Sequence, residues 1–196
     1  IGVEPAGAAC MQASLKADKV VTLPGVNTIA DGTAVKTPGS LIFPYLKQNL
    51  DDIITVPDEE LVVAFLDMVE NHKMVVENSG LLSVAALKQL NVKNKKVVDI
   101  LSGGNMDIIT MSSVVQQGLI FRDRIFTVSV LLPDKPGELT RVSGVIAKEN
   151  GNVIKLEHNQ FVSTNRNAAV ELRITMEAFG TDHKNQIIDA LYQNGY

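Results

Sequence analysis

Hydrophobic and polar positions alternate at two different spacings along this chain, and the spacing changes once, near residue 118. In the first part, helical spacing dominates. Ala8, Met11 and Leu15 mark a helix over Ala6–Asp18, with Lys16 and Lys19 toward the negative end of its dipole. Ser40–Leu50 and Glu59–His72 have the same periodicity, and the second puts Leu61, Ala64, Phe65, Met68 and Val69 on one face with Asp58 as its expected N-cap. After Asn78-Ser79-Gly80 an Ala/Leu-rich helix follows. Short apolar runs separate these helices and read as strands: Val20–Leu23, Asp52–Val56 and Lys96–Leu101, the last delivering Ser102. Pro24–Gly39 holds two prolines and three glycines and reads as a long shaped loop, a kind that is more often functional than idle. Helices alternating with short apolar strands predict an α/β unit with a mostly parallel sheet, whose ligands bind beyond the carboxyl ends of the strands.

From Gln116–Arg124 onward the period shifts toward two. Arg124–Leu132 alternates as a strand, Asp134-Lys135-Pro136-Gly137 is a turn, Glu138–Asn150 is helical, and Gly151 ends that helix. Asn152–Phe161 and Ala168–Ala178 read as two strands around Ser163–Asn167, and Asp182–Gln193 as a helix with Ile187, Ile188 and Leu191 inward. The order βαββα is one strand short of a split βαβ unit, and Tyr196 would begin the missing strand. We therefore expect a first domain over 1–118, a linker over 119–123 and a second domain over 124–196.

Composition narrows the function classes. A net charge of −4, an isoelectric point near 5.4 and no long Lys/Arg run leave no electrostatic footprint for nucleic acid or an anionic membrane. The longest apolar runs, such as Leu61–Leu66, fall far short of the roughly 20 residues of a spanning helix. A single cysteine, Cys10, and no signal-like N-terminus fit a reducing cytoplasm. Ile1–Pro5 begins without Met and reads as the end of a strand, so we expect a piece of a longer protein.

The candidate chemistry centres on Ile100–Asp107, ILSGGNMD, where an apolar run meets a serine, two glycines and an asparagine. Glycines at a strand end allow a turn or a close approach. The alternative is a plain strand-to-helix turn with Asn105 or Asp107 as N-cap. Glu77 follows the apolar MVV and precedes a small-residue turn, which suits a carboxylate at the edge of a buried site. Cys10 reads as packing. His72, His158 and His183 show no metal-ligand spacing and read as surface or cap residues.

Taken together, GVEPAGAAC (2–10), TIADGTAVKTPG (28–39), DDIITVPDEEL (51–61), MVVENSGLLSVAAL (74–87) and LSGGNMD (101–107) resemble the C-terminal half of the catalytic domain of threonine dehydratase, also called threonine ammonia-lyase, with serine racemase and serine dehydratases sharing much of the pattern. The resemblance implies a partial fold-type II pyridoxal phosphate domain and conversion of L-threonine, or L-serine, to a 2-oxo acid and ammonia. It places Ser102 opposite the pyridine nitrogen, Gly103 and Gly104 at a close backbone approach, Asn105 as a buttress, and Glu77, Asp31 and Gly32 along the cofactor site. A neutral hydroxyl there makes the cofactor a tempered electron sink. Glu4 and the Ala8 carbonyl match a site for a monovalent or divalent cation in relatives, with Cys10 where some of them carry an acidic ligand. The Schiff-base lysine and the glycine-rich phosphate loop of the family lie outside the matched segments, so the 196 residues are expected to be inactive alone.

LLPDKPGELTRVSGVIAKENGNVIKLEH (131–158) resembles an ACT domain, a ferredoxin-like α+β sensor of small molecules. That resemblance nominates Asp134, Gly137, Glu138 and Asn152 for an effector, isoleucine or valine, and implies a homodimer or homotetramer. Turn amides at 137–139 would take the effector's carboxylate and Asp134 its ammonium. The alternative for 134–137 is a turn that only caps the helix. A serine dehydratase or racemase, and a non-catalytic amino-acid-sensing module, are the competing functions; a nucleotide effector is a further option.

Overall fold

Gly2–Pro5 (β1) and Ile53–Val56 (β2) form a two-stranded parallel sheet in the register Gly2↔Ile53 to Pro5↔Val56. The computed structural model describes residues 1–159 and 170–196; the turn expected over Ser163–Asn167 and the strand ends at 160–161 and 168–169 lie outside the described residues. Two units result, Ile1–Gly118 and Leu119–Tyr196.

In the first unit the helices are Cys10–Ala17 (α1), Phe43–Asn49 (α2), Asp58–Asp67 (α3), Leu82–Ala86 (α4) and Ile108–Phe121 (α5), joined by short 3₁₀ turns. The apolar stripe of α3 forms as its spacing predicts: Leu61, Ala64 and Phe65 are buried, and Met68 continues the stripe in a π-helical turn over Met68–His72. They pack with Val56, Val76, Leu81, Leu82 and Ala85 into one core. Helix α5 comes close to α3 because Gly118 has no side chain; a Cβ there would sit 2.5 Å from Leu66 Cδ1.

Two expected strands do not form. Val20–Leu23 and Lys96–Leu101 have neither strand nor helix, since a strand needs a hydrogen-bonding neighbour and the described sheet offers them none. Asp58 is not the cap of α3 either: Pro57 holds that position, and no side chain caps it. The Asp58 carboxylate instead accepts from Thr28 Oγ1 at 2.6 Å and from the Ile29 N–H at 2.9 Å, pinning the 24–39 loop.

The second unit is an antiparallel sheet in the order β3–β5–β4, made of Ile125–Leu132 (β3), Asn152–Asn159 (β4) and Val170–Glu177 (β5). Along β5, Val170, Leu172, Ile174 and Met176 are buried, and the alternate residues face away. Glu138–Lys148 (α6) and Thr181–Gln193 (α7) cover the buried face with Val142, Ile146, Ile187 and Leu191. The other face is polar: Thr127 bonds Thr175 at 2.9 Å, and Ser129 donates to Glu171 at 2.9 Å. Tyr196 starts no strand; its N–H donates to Leu191 O at 3.0 Å and its ring packs on the core.

Two contacts fasten α7. His183 Nδ1 accepts the Phe179 N–H at 3.0 Å and Nε2 faces Glu149 O at 2.6 Å, which requires the neutral tautomer with its proton on Nε2. Asp123 accepts from Lys184 Nζ at 2.6 Å and from Thr181 Oγ1 at 2.8 Å, and those donors, Lys184 first, hold its carboxyl below the usual carboxylate range. A carboxyl lowered by folding stabilises above the unfolded Asp value, near 3.9, and the benefit is lost as pH falls through the lower folded value. Urea unfolding of D123N at pH 7 is expected to show a loss of about 1 kcal/mol, and the gap from the unsubstituted chain should narrow as pH falls below the unfolded Asp value, near 3.9.

Candidate functional site

Three connecting segments meet beyond the first core: 28–33, 77–80 and 102–105. Asp58 and Asn78 fix the first of them, because Asn78 Nδ2 donates to Ile29 O at 3.1 Å in addition to the Asp58 bonds. Glu77 ties the second to the third. Its N–H donates to Gly103 O at 3.4 Å, and its carboxylate accepts the Asn105 N–H at 3.1 Å. Gly103 has φ +84°, a left-handed conformation that favours glycine, and a Cβ there would lie 2.3 Å from Glu77 Oε1, so any side chain would displace that carboxylate. A Cβ on Gly80 would fall 1.8 Å from the Ser102 carbonyl oxygen, and one on Gly32 would fall 2.9 Å from Ser79 Oγ. At Gly104 the nearest neighbour, Val75 O, is at an ordinary 3.6 Å.

The neutral loop separates two cavities. Ser102 lines one of 620 Å³, together with Thr33, Ser79 and Gly80. Asp31, Glu77, Asn78 and Asn105 line the other, of 440 Å³. Ser102 therefore stands among the hydroxyl residues Thr33, Ser79 and Ser83 in a cavity that Lys95, Lys96 and Asp99 also line, and Asp31 and Glu77 line the cavity on the far side of the loop. Asp31 bonds its own turn, accepting the Gly32 N–H at 2.9 Å. Beyond the loop Asp107 caps α5, and the Thr110 hydroxyl, followed by the Thr110 amide, holds its carboxyl below the usual range. The close packing at Gly103 belongs to Glu77, an approach that the glycine pair alone did not reveal.

Asn78 and Ser79 are site residues that the sequence reading passed over as part of a small-residue turn. Asn78 Oδ1 and Ser79 Oγ are buried without a hydrogen-bond partner. Two orphaned polar atoms next to a glycine-rich approach are the kind of unmet demand that a bound group satisfies. The available signal was a polar pair set between a carboxylate and a glycine, ENSG.

Of the two groups expected at a cation site, the Glu4 carboxylate has other partners. Glu4 accepts the Met11 and Gln12 N–H groups, each at 2.8 Å, at the start of α1. Cys10 Sγ is 3.9 Å from Glu4 Oε1, and burial, with the Glu4 charge second, pushes its thiol up. Among the described residues no group of three or more His, Cys, Asp or Glu side chains is placed to hold a metal ion.

In the second unit, Asp134, Gly137 and Glu138 line a 200 Å³ cavity floored by Leu132 and Leu172. Gly137 has φ +93° where the turn enters α6, and Glu138 is paired with Arg141 at 2.9 Å. Asn152 is not part of this cavity; its Nδ2 donates to Glu177 Oε2 at 2.7 Å across β4 and β5. His158 lines the cavity instead. No helix among the described residues is long and apolar enough to cross a membrane.

A parallel sheet with helices, and glycine-dependent loops around a neutral serine, meet their counterpart in a family comparison: the model for pyridoxal-phosphate dependent enzymes matches residues 1–103. The chain belongs to that family. It is 36% identical over 198 residues to an L-threonine ammonia-lyase of Geobacter sulfurreducens, covering 100% of this chain and 49% of that protein. Threonine deaminase isoform 2 of Solanum lycopersicum, in its processed form, superposes with a TM-score of 0.57 at 32% identity over 61% of this chain and 34% of that one. Maize serine racemase superposes at 0.51 with 36% identity, over 60% and 38% of the two chains. The chain spans about half the length of the curated relatives it matches.

Pyridoxal phosphate fits what this chain presents. The Ser102 cavity offers the Thr33, Ser79 and Ser83 hydroxyls beside Lys95, Lys96 and Asp99, and the buried Ser79 hydroxyl lacks a partner. We expect G80A, which drives a methyl into the Ser102 carbonyl, to cost about 1–3 kcal/mol in denaturant unfolding of the first unit. G25A, whose added carbon meets nothing within 4 Å, should leave it unchanged.

Proposed function

We propose that this chain is the C-terminal part of a threonine ammonia-lyase, joined to an ACT-type sensor whose effector is isoleucine or valine. Ser102 beside the unpartnered buried hydroxyl of Ser79, at the end of a glycine-dependent loop, supports this reading most directly. In it, Ser102 would hold the pyridine nitrogen through its neutral hydroxyl, and Gly103 and Gly104 would leave room for the cofactor beside them. Asn105 and Glu77 hold that loop in place through their mutual bond, and Asp31 and Gly32 form the adjoining turn. Bound pyridoxal phosphate supplies the electron sink through which the α-proton and the β-hydroxyl of the substrate leave. A serine at the nitrogen stabilises no full pyridinium charge, which favours prompt elimination.

The βαββα order and the cavity at Asp134, Gly137 and Glu138 support the sensor part. Asn152, bonded to Glu177, has no place in the effector set. A cation at Glu4 and Ala8 stays outside the proposal, because the Glu4 carboxylate is committed to α1. Assembly as a homodimer or homotetramer in the cytoplasm completes the reading.

A serine racemase or dehydratase is the second reading, favoured by the 36% identity to the maize racemase. Steady-state assays on the full-length enzyme decide between them. Threonine is expected to give 2-oxobutanoate with a higher kcat/KM than serine gives pyruvate, and isoleucine to inhibit; an equal or greater value for serine, or D-serine formation, would favour the second reading. The 196-residue chain alone should release no ammonia from threonine with pyridoxal phosphate added, and measurable release would overturn its assignment as a catalytically incomplete part.

A further inference from the structure

The cavity below the 134–137 turn draws its polar walls from two places. Asp134, Lys135 and Glu138 belong to one continuous stretch, whereas His158 arrives from β4. The sheet register brings it there: His158 stands opposite Leu172 on β5, and Leu172 opposite Val130 on β3. Directly opposed residues share a face of an antiparallel sheet. His158 therefore lies on the face that α6 and α7 cover, two strands, or roughly 10 Å, across from β3. Between the two walls the floor is Leu132 and Leu172, both buried.

Size and chemistry limit the ligand. At 200 Å³ the cavity is smaller than the roughly 300–1,000 Å³ of sites for drug-sized ligands, which suits a single amino acid and leaves no room for a nucleotide. Asp134 matches an ammonium, the leucine floor an aliphatic side chain, and an imidazole N–H a carboxylate. We propose that His158 binds the carboxylate of an aliphatic amino acid in this cavity, an inference that rests on the reading of the second unit as an amino-acid sensor.

The groups facing His158 are Asp134 and Lys135 of the turn, Glu138 of α6, the uncharged Leu172 of β5, and Glu157, Glu171 and Arg173, which share a neighbouring cavity with it.

Isothermal titration of the 196-residue chain with isoleucine and with valine tests the assignment. H158A is expected to weaken binding about tenfold, the worth of one hydrogen bond to a charged group. H158Q keeps an N–H donor, so it should retain part of the affinity that H158A loses, while both variants unfold at the same urea concentration as the unsubstituted chain. Variants that bind as tightly as the unsubstituted chain would overturn the role of His158. If the unsubstituted chain binds neither amino acid, the sensor reading itself fails.

Discussion

A single carboxylate holds the first unit's site together. Glu77 stands over Gly103 and accepts the amide of Asn105, and its own N–H is committed to the Gly103 carbonyl. Residues 91–107 carry no helix or strand, so the loop that presents Ser102 gets its position from this contact and from Gly80 against the Ser102 carbonyl. The same carboxylate lines the cavity on the opposite side of the loop from the one that Ser102 lines.

The second unit follows a different logic. Its sheet has one apolar face under two helices and one polar face tied by cross-strand bonds such as Thr127–Thr175 and Ser129–Glu171. The cavity lies at the apolar face, where the turn after β3 meets β4 and β5. A cavity assembled from three strands depends on the register among them.

The sequence was legible where burial repeats. The stripe on α3, the alternation along β5 and the inward Ile187 and Leu191 of α7 all emerge from spacing, because each element has a single apolar face against a single core. Legibility failed where the partner lies far along the chain. VVDIL reads as a strand, yet Val98 is 89% and Ile100 76% exposed, because a strand pattern states a preference and a neighbouring edge must satisfy it. Asp58 had the position of a cap and was recruited by Thr28 and Ile29 instead. The loop SGGN was visible as a neutral, glycine-rich site, but its dependence on Glu77 was not, since nothing in a linear pattern brings residues 77 and 103 together. Asn152 and His158, both on β4, show the same gap: the register decides which one meets the turn.

Cys10 has a practical consequence. It is the sole cysteine of the chain, buried at 2% exposure, and its thiol is held protonated by that burial beside a carboxylate. Thiol-directed reagents react through the thiolate and need access, so the native chain is nearly silent toward them. A cysteine introduced at an exposed position of either unit would then be the only fast-reacting one. A pair of such labels, one per unit, would form a molecular ruler with no background signal to subtract.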